Sequence, residues 1–260
     1  MHNMNYSSLQ VREVFHLEFL RELAKAIPTS AFVLKGGSNI RFFFGSVRYS
    51  EDMDIDVREI PVHKLQAKCL DIINSRTLLN RLKTFGVEDI IPPDMQYAKQ
   101  TETVQRFKVH LITSAGEDLF TKIKFSRRGF DSAYKSEAIS NSVIAGYYLP
   151  PLIIPHYQVE AVLKQKINAL VSRTKVEARD VFDLYILSPR VDNLQIDQTP
   201  TLSSEVKRLA RERIYSIDYH QYRDQVVEYL SYEERKYYDT REMWDEIRLV
   251  VLRLLKGSQG

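Results

Sequence analysis

Residues 52–57, DMDIDV, alternate strictly between acidic and apolar side chains. Because successive side chains of a strand point to opposite faces, the pattern predicts a strand at 53–57 with its apolar residues in the core and Asp52, Asp54 and Asp56 on the other face. Neighbouring carboxylates there would lie roughly 6–7 Å apart and repel each other. We therefore expect a cation among them, and Mg²⁺ or Mn²⁺ suits oxygen ligands. The alternative is an acidic edge strand that faces solvent.

A glycine turn precedes this strand. The apolar run at 31–34 predicts a buried strand, Gly36 and Gly37 end it, and NIRFFF at 39–44 predicts a helix. Free backbone N–H groups and the helix dipole at such a junction attract anions, and Ser38 can cap the helix or donate to a phosphate oxygen. The alternative is an ordinary tight turn.

Composition sets broad limits on the kind of protein. The chain has 260 residues, 44% of them hydrophobic and 27% charged, with a net charge of +3. These values are typical of a globular protein with a substantial core. The single cysteine excludes an intrachain disulfide and a thiolate zinc cluster. The first residues lack a signal-peptide pattern and no long apolar window occurs, so we expect a cytoplasmic protein without membrane spans.

The remaining pattern changes from mixed to helical along the chain. Residues 77–100 are predicted to be irregular, 127–156 carry no clear pattern, and Pro150-Pro151 suggests a boundary. Strands are predicted at 103–113 and 118–126; helices are predicted at 9–27, at 61–74, at 157–173, at 178–187 with a stop at Pro189, and at 203–215, 220–230 and 240–255. The prediction is an α+β domain over 1–150 and a helical domain over 151–260.

A second charged motif lies in residues 160–185. Lys166 and Arg173 are seven residues apart and share a helix face. Arg179, Asp180 and Asp183 cluster by the same spacing rule. The alternative is a surface helix with an Arg179–Asp183 ion pair, which would contribute only a few tenths of a kcal/mol.

Both motifs resemble a known family. Gly37-Ser38 followed by Asp52-Met53-Asp54 resembles the GS…DxD signature of DNA-polymerase-β-like nucleotidyltransferases. The longer string LKGGSNIRFFFG…RYSEDMDIDV is similar to the AbiEii/AbiGii toxins, with serine at 38 where threonine is common. The matching positions of the first motif are Lys35, Gly36, Gly37, Arg41, Arg48, Ser50, Asp52 and Asp54. Those of the second are Glu160, Lys166, Ala169, Leu170, Arg173, Arg179, Asp180, Asp183 and Leu184.

The resemblance implies a fold, an activity and partners. The fold would be a polymerase-β-like nucleotidyltransferase core, a small mixed sheet with flanking helices, followed by a C-terminal helical bundle whose first helices (157–188) complete the active site. The activity would be metal-dependent transfer of NMP from an NTP to an acceptor, with the 3′ end of tRNA as the first candidate. The expected partners are the NTP, tRNA or another RNA, and the cognate antitoxin of a toxin–antitoxin or abortive-infection system.

The resemblance also implies roles for individual residues. Catalytic roles fall on Asp52, Asp54, Lys166 and Asp183, with Asp52 and Asp54 as ligands of Mg²⁺ or Mn²⁺; Asp56, on the same strand face, is a further candidate ligand. Nucleotide binding falls on Lys35, Gly36, Gly37, Ser38, Arg41, Arg48, Ser50, Arg173, Arg179 and Asp180. Whether Asp180 or Asp183 supports Lys166, or acts as a base, stays open.

One departure from the superfamily pattern leaves alternatives. A third acidic ligand is expected from a later strand, but FTKIKFS at 120–126 offers Lys122, Lys124 and Ser126. Either Asp56 or Asp183 supplies the acid, or two carboxylates suffice. The acceptor could instead be a small molecule or a protein, or the chain could be a nucleotide-binding module without catalysis. Basic residues at 99–128 could follow a nucleic-acid backbone or form a solvated face, namely Lys99, Arg106, Lys108, Lys122, Lys124, Arg127 and Arg128.

Overall fold

A computed structural model describes residues 6–130, 133–191 and 202–256. The chain divides into two compact units. The first contains the residues up to 43 together with 49–157, and the second contains 44–48 together with the residues from 158 onward. The boundary expected at residues 150–151 precedes the last strand of the sheet, Ile153–Tyr157, which belongs to the first unit.

The first unit is built on a mixed sheet. Over the described residues it has seven strands, in the order β3-β4-β5-β2-β1-β7-β6. They are β1 (Phe32–Lys35), β2 (Asp52–Val57), β3 (Val87–Ile91), β4 (Val104–Thr113), β5 (Asp118–Ser126), β6 (Tyr134–Ala138) and β7 (Ile153–Tyr157). Strand β2 runs antiparallel to β1 and parallel to β5. The mixed sheet confirms the predicted α+β fold class.

Helices of the first unit pack on the sheet through apolar faces. They are α1 (Ser8–Ala26), α2 (Gly36–Phe44), α3 (Val62–Ile73), α4 (Arg76–Lys83) and α5 (Asn141–Ile144). Helix α1 begins with a capping box formed by Ser7 and Gln10 and buries Phe15, Phe19 and Leu20 in the core. Strand β1 ends at Lys35 and α2 begins at the next residue, so the predicted strand–glycine–helix junction is confirmed.

The prediction that residues 77–100 are irregular is wrong. Ser75 caps α4 by accepting hydrogen bonds from the backbone of Thr77 and Leu78. Strand β3 pairs antiparallel with β4, but its register shifts between Val87 and Asp89. That irregularity interrupts the alternation of buried and exposed side chains, so the two-residue period that marks a strand is absent from the sequence.

The second unit is helical over its described residues. Its helices are α6 (Val159–Ser172), α7 (Ala178–Val191), α8 (Ser204–Ser216), α9 (Tyr219–Gln225), α10 (Tyr232–Tyr238) and α11 (Arg241–Lys256). Tyr222 and Trp244 stack at its centre with 4.6 Å between ring centroids. Helix α10 was not predicted, although Ser231 followed by Glu234 is a helix-start signal, and the Ser231 side chain accepts from the backbone N–H of Glu234.

Pro189 does not end α7, contrary to the prediction. The helix continues to Val191 with the proline inside its last turn. A proline at 189 cannot donate to the carbonyl of Tyr185. The Ser188 hydroxyl donates to that carbonyl instead, at 2.7 Å. The substitute hydrogen bond explains why the proline is tolerated so near the helix end.

Within residues 6–130, 133–191 and 202–256, each helix is too short or too polar to cross a bilayer.

A buried histidine couples the first unit to pH. His16 of α1 lies 2.8 Å from the Thr121 hydroxyl, which itself donates to the carbonyl of Glu51. Burial, with a smaller contribution from the nearby Arg12 charge, lowers the pKa of His16 from 6.5 to about 3. Between these values the unfolded chain binds a proton that the folded chain does not. Stability must therefore fall as the pH falls through this window.

His16→Gln removes this titration. Over about pH 4 to 5.5, we expect the free energy of unfolding of the variant to fall less steeply than that of the wild type, by about 1.4 kcal/mol per pH unit. Urea unfolding followed by circular dichroism at several pH values measures the difference. Equal slopes in the two proteins would contradict the assignment.

Candidate active site

The three aspartates of β2 share one property: each carboxylate is paired with a lysine. The distances are 2.9 Å from Asp52 Oδ2 to Lys122 Nζ, 3.4 Å from Asp54 Oδ1 to Lys124 Nζ, and 2.5 Å from Asp56 Oδ1 to Lys35 Nζ. Each of these like charges therefore has a lysine ammonium beside it, and the Mg²⁺ or Mn²⁺ expected there stays a prediction.

Strand register explains the pairing on the β5 side. Asp52 lies opposite Lys122, and Asp54 lies opposite Lys124, in the parallel β2–β5 ladder. Paired positions place their side chains on the same face of a sheet. The alternating pattern TKIKFS therefore sets its lysines directly against the alternating aspartates.

Asp56 differs from the other two aspartates in its surroundings. The side chains of Asp52 and Asp54 are 41% and 32% exposed, but that of Asp56 is only 9% exposed. Its second carboxylate oxygen accepts a hydrogen bond from the Tyr157 hydroxyl at 2.7 Å. Both oxygens of Asp56 are thus used within the protein, and a role as metal ligand would require these contacts to change. That role stays a prediction.

The start of α2 lies against Asp54. Gly36 has a φ of +69°, and a Cβ added there would lie 3.0 Å from Asp54 Oδ2. Only glycine combines this backbone conformation with so close an approach. The glycine at the junction thus places the N-terminal end of a helix beside an accessible carboxylate.

Two serines fix the beginning of β2. The hydroxyls of Ser38 and Ser50 both donate to the backbone carbonyl of Asp52, at 3.3 and 2.8 Å. Ser38 therefore makes a contact that neither of its predicted roles anticipated, and its proposed part in phosphate binding stays a prediction.

The donor set fits one hard cation. Across the ranges that the structure describes, no group of three or more His, Cys, Asp or Glu side chains is arranged to hold a metal ion. Asp52 and Asp54 provide two accessible carboxylates. Mg²⁺ commonly takes one or two carboxylates and completes its octahedron with water and substrate phosphates, so these residues suit it.

Arg41 belongs to a buried cluster that the sequence did not reveal. Its guanidinium contacts both carboxylate oxygens of Glu13, at 2.7 and 3.2 Å, and lies over the Tyr49 ring. The Tyr147 hydroxyl donates to Glu13 at 2.6 Å. Burial and the Glu13 charge raise the pKa of Tyr147, so its hydroxyl stays protonated. The sequence signal that could have revealed this cluster is an acidic residue within the apolar stripe of α1.

The second motif forms a compact charge cluster within the second unit. Lys166 Nζ lies 2.9 Å from Asp180 Oδ1 and 2.6 Å from Asp183 Oδ2. Arg48 reaches Asp183 at 3.1 Å, and Arg173 reaches Asp180 at 3.0 Å. Both aspartates are fully buried, which excludes the solvated surface helix. Residues predicted from two separate motifs, Arg48 and Asp183, are therefore brought together.

Arg179 makes a different contact from the one the helix spacing suggested. Its guanidinium pairs with Glu177, which also accepts from Arg173 at 3.0 Å. Arg48 and Lys166 hold Asp183 instead. The proposed nucleotide contact of Arg179 stays a prediction.

Mutual attraction fixes the charge states of the cluster. Burial alone would lower the pKa of Lys166, but Asp183 and Asp180 outweigh it and raise the pKa. Burial alone would raise the pKa of Asp183, but Arg48 and Lys166 outweigh it and lower the pKa. The stabilisation from Asp183 is complete above its unfolded pKa of about 3.9 and is lost as the pH falls through its lowered folded value. With these pKa shifts, Lys166 and Asp183 are both charged at neutral pH.

A mixed sheet, a glycine-led helix and two accessible aspartates on the adjoining strand are the features that the resemblance to nucleotidyltransferases implies. The family profile described as "Nucleotidyl transferase AbiEii toxin, Type IV TA system" matches residues 18–246. The chain belongs to this family of nucleotidyltransferase toxins, and the predicted resemblance is confirmed.

Solved structures with the same fold include two bacterial proteins. MenT4, a nucleotidyltransferase toxin from Mycobacterium tuberculosis, is 16% identical in sequence and superimposes with a TM-score of 0.60. The match covers 100% of this chain and 88% of the MenT4 chain. JHP933 from Helicobacter pylori is 18% identical in sequence, with a TM-score of 0.57. The match covers 96% of this chain and 91% of the JHP933 chain. At this identity the likeness is one of fold. No curated protein sequence matches the chain.

Gly36→Ala tests the close approach of α2 to Asp54. Gly116 has a similar φ of +79° with nothing within 4 Å of an added Cβ, so Gly116→Ala is the matched control. Both variants should lose about 1–2 kcal/mol of stability from backbone strain. Only Gly36→Ala should weaken binding of a fluorescent NTP analogue, because only it displaces Asp54. Equal nucleotide affinity in the two variants would contradict this reading of the junction.

Asp183→Asn tests the buried charge cluster. It leaves Lys166 and Arg48 with less compensating charge in the interior, so we expect a loss of about 3 kcal/mol or more in urea unfolding. Asp224 pairs with His220 at an exposed position of α9, and Asp224→Asn is the control. Its loss should stay below about 0.5 kcal/mol. Similar losses in both variants would be incompatible with a special role for the cluster.

Proposed function

We propose that this chain transfers NMP from an NTP to the 3′ end of an RNA, with tRNA as the first acceptor, and that the transfer depends on Mg²⁺ or Mn²⁺. In this reaction a hydroxyl oxygen of the acceptor bonds to the α-phosphorus. The bond to the β-phosphate oxygen breaks, pyrophosphate leaves, and the hydroxyl proton passes to solvent.

One observation carries the proposal. The N-terminal end of α2 lies against Asp54, and the accessible carboxylates of Asp52 and Asp54 follow on one strand face. Helix N-termini attract phosphate groups, and paired carboxylates attract a divalent cation. A triphosphate with its cation needs both kinds of site side by side. When bound, the cation would polarise the α-phosphate and favour departure of pyrophosphate.

Positive charge on the neighbouring strands supports an acceptor rich in phosphates. Lys108 lies opposite Lys122 and Arg106 lies opposite Lys124 in the β4–β5 ladder, so these two residues of β4 add positive charge to the face on which Lys122 and Lys124 pair with the aspartates. Such a face can follow a nucleic-acid backbone. Arg127, also predicted for this role, instead donates to the Gln105 side chain and the Ile60 carbonyl.

We propose further that Lys166 and Asp183 take part in the same reaction. Lys166 keeps its charge because two carboxylates hold it, and a fixed ammonium can neutralise charge that develops on a triphosphate. Asp183 is proposed to position Lys166 and Arg48. The partner proteins would include the cognate antitoxin, an inference that rests on the toxin–antitoxin description of the family.

A labelling experiment tests the function. The protein is incubated with Mg²⁺, each α-labelled NTP and total RNA, and the products are separated by size. We expect label in a tRNA-sized band, loss of at least about 10²-fold in Asp54→Asn, and little change in Lys135→Met. Lys135 pairs with Glu137 on the edge strand β6 and serves as the matched control.

Other outcomes would replace the proposal with a different one. Label on a protein or a small molecule would change the acceptor class while keeping the chemistry. NTP binding without transfer in the presence of RNA, protein and small-molecule pools would indicate a nucleotide-binding module and contradict the proposed activity.

A further inference from the structure

Strand β7 holds the N-terminal end of α2 through a buried amide. Asn39, the fourth residue of the helix, is fully buried, and its side-chain nitrogen donates to the backbone carbonyl of Tyr157 at 3.1 Å. A carbonyl oxygen only accepts hydrogen bonds, so this contact fixes the orientation of the Asn39 amide. The other polar atom of that amide, Oδ1, lies 3.0 Å from Nδ1 of His156.

His156 of β7 contacts one face of α2 twice. Its side chain is fully buried, and its ring stacks on that of Phe43 with 3.6 Å between centroids and 2° between planes. Phe43 and Asn39 are four residues apart, so they lie on the same face of the helix. The second ring nitrogen, Nε2, lies 3.2 Å from a carboxylate oxygen of Glu137 on β6. Both ring nitrogens therefore face oxygen atoms.

One of these two oxygens can leave the ring and the other cannot. The hydrogen bond from Lys135 lowers the pKa of Glu137, so its carboxylate stays ionised and can only accept. Burial lowers the pKa of His156, so its ring carries a single proton at neutral pH. The Glu137 side chain is 46% exposed and can turn to water, whereas the Asn39 amide is enclosed and fixed. The single proton therefore belongs on Nδ1, where it satisfies Asn39.

We propose that His156 is a positioning residue for nucleotide binding. Its Nδ1–H group donates to Asn39 Oδ1 and so fixes the amide that ties the N-terminal end of α2 to the end of β7. That end of the helix lies against Asp54 and forms the proposed phosphate site. The inference rests on the proposed function, because it names a residue outside the site that holds the site in shape.

The position of the proton is measured by long-range ¹H–¹⁵N correlation spectra of the histidine rings at neutral pH. The signals of His156 are assigned by their loss in His156→Asn. We expect a proton on Nδ1. A ring with its only proton on Nε2 would overturn the proposal. The measurement needs no nucleotide, so its result does not depend on the proposed function.

Two amide variants separate the roles of the two ring nitrogens. His156→Asn places its side-chain nitrogen at the position of Nδ1, and His156→Gln places its nitrogen at the position of Nε2. Both lose the ring that stacks on Phe43, so we expect similar losses of stability in urea unfolding. Only His156→Gln lacks a donor toward Asn39. We therefore expect it to bind a fluorescent NTP analogue roughly 5- to 10-fold more weakly than His156→Asn does.

The backbone amide signals of Gly37 and Ser38 report the same positioning without nucleotide, and they should shift more in His156→Gln than in His156→Asn. Glu137→Gln is the matched control, because Glu137 faces Nε2 and not Nδ1, and its nucleotide affinity should equal that of the wild type. Equal nucleotide affinities in the two His156 variants would overturn the proposal. Failure of the proposed function would look different: the wild type would bind no NTP analogue, while the proton position and the amide shifts would still decide whether His156 positions α2.

Discussion

Repulsion among the aspartates of β2 is the constraint on which the first unit depends. Three like charges at alternate positions cannot share a strand face unless cations compensate them. Adjacent strands provide a lysine for each: Lys122 and Lys124 from β5, and Lys35 from β1. The strand order that places β2 between β1 and β5 is therefore also the order that makes the acidic face tolerable.

Burial then divides these carboxylates between two kinds of role. Asp56 is enclosed by Lys35 and Tyr157, so its charge ties β2 to β1 and β7. Asp52 and Asp54 keep exposed carboxylates whose lysine partners are themselves partly exposed. Exposed ion pairs contribute little to stability, so the binding proposed for Asp52 and Asp54 would cost little of it.

The second unit uses charge in the opposite way. Lys166, Asp180 and Asp183 are buried together, and Arg48 and Arg173 complete the cluster. Removing one member of a buried group leaves an uncompensated charge, which costs several kcal/mol. Such a cluster holds its members in fixed positions, whereas the pairs of Asp52 and Asp54 with their lysines are partly exposed.

The sequence by itself determined the family, the α+β class, the strand predicted at 53–57 and the charged motif at 160–185, because these rest on local spacing and residue type. Tertiary structure decided the rest. The register shift in β3 hid a strand, the Ser188 hydroxyl let α7 continue past its proline, and a buried acid, Glu13, fixed Arg41. Only strand pairing could set Lys122 and Lys124 against Asp52 and Asp54, and only the enclosure by Tyr157 could distinguish Asp56 from its neighbours. Partners far apart in the chain leave no periodic trace, so neither contact can be read from the order of residues.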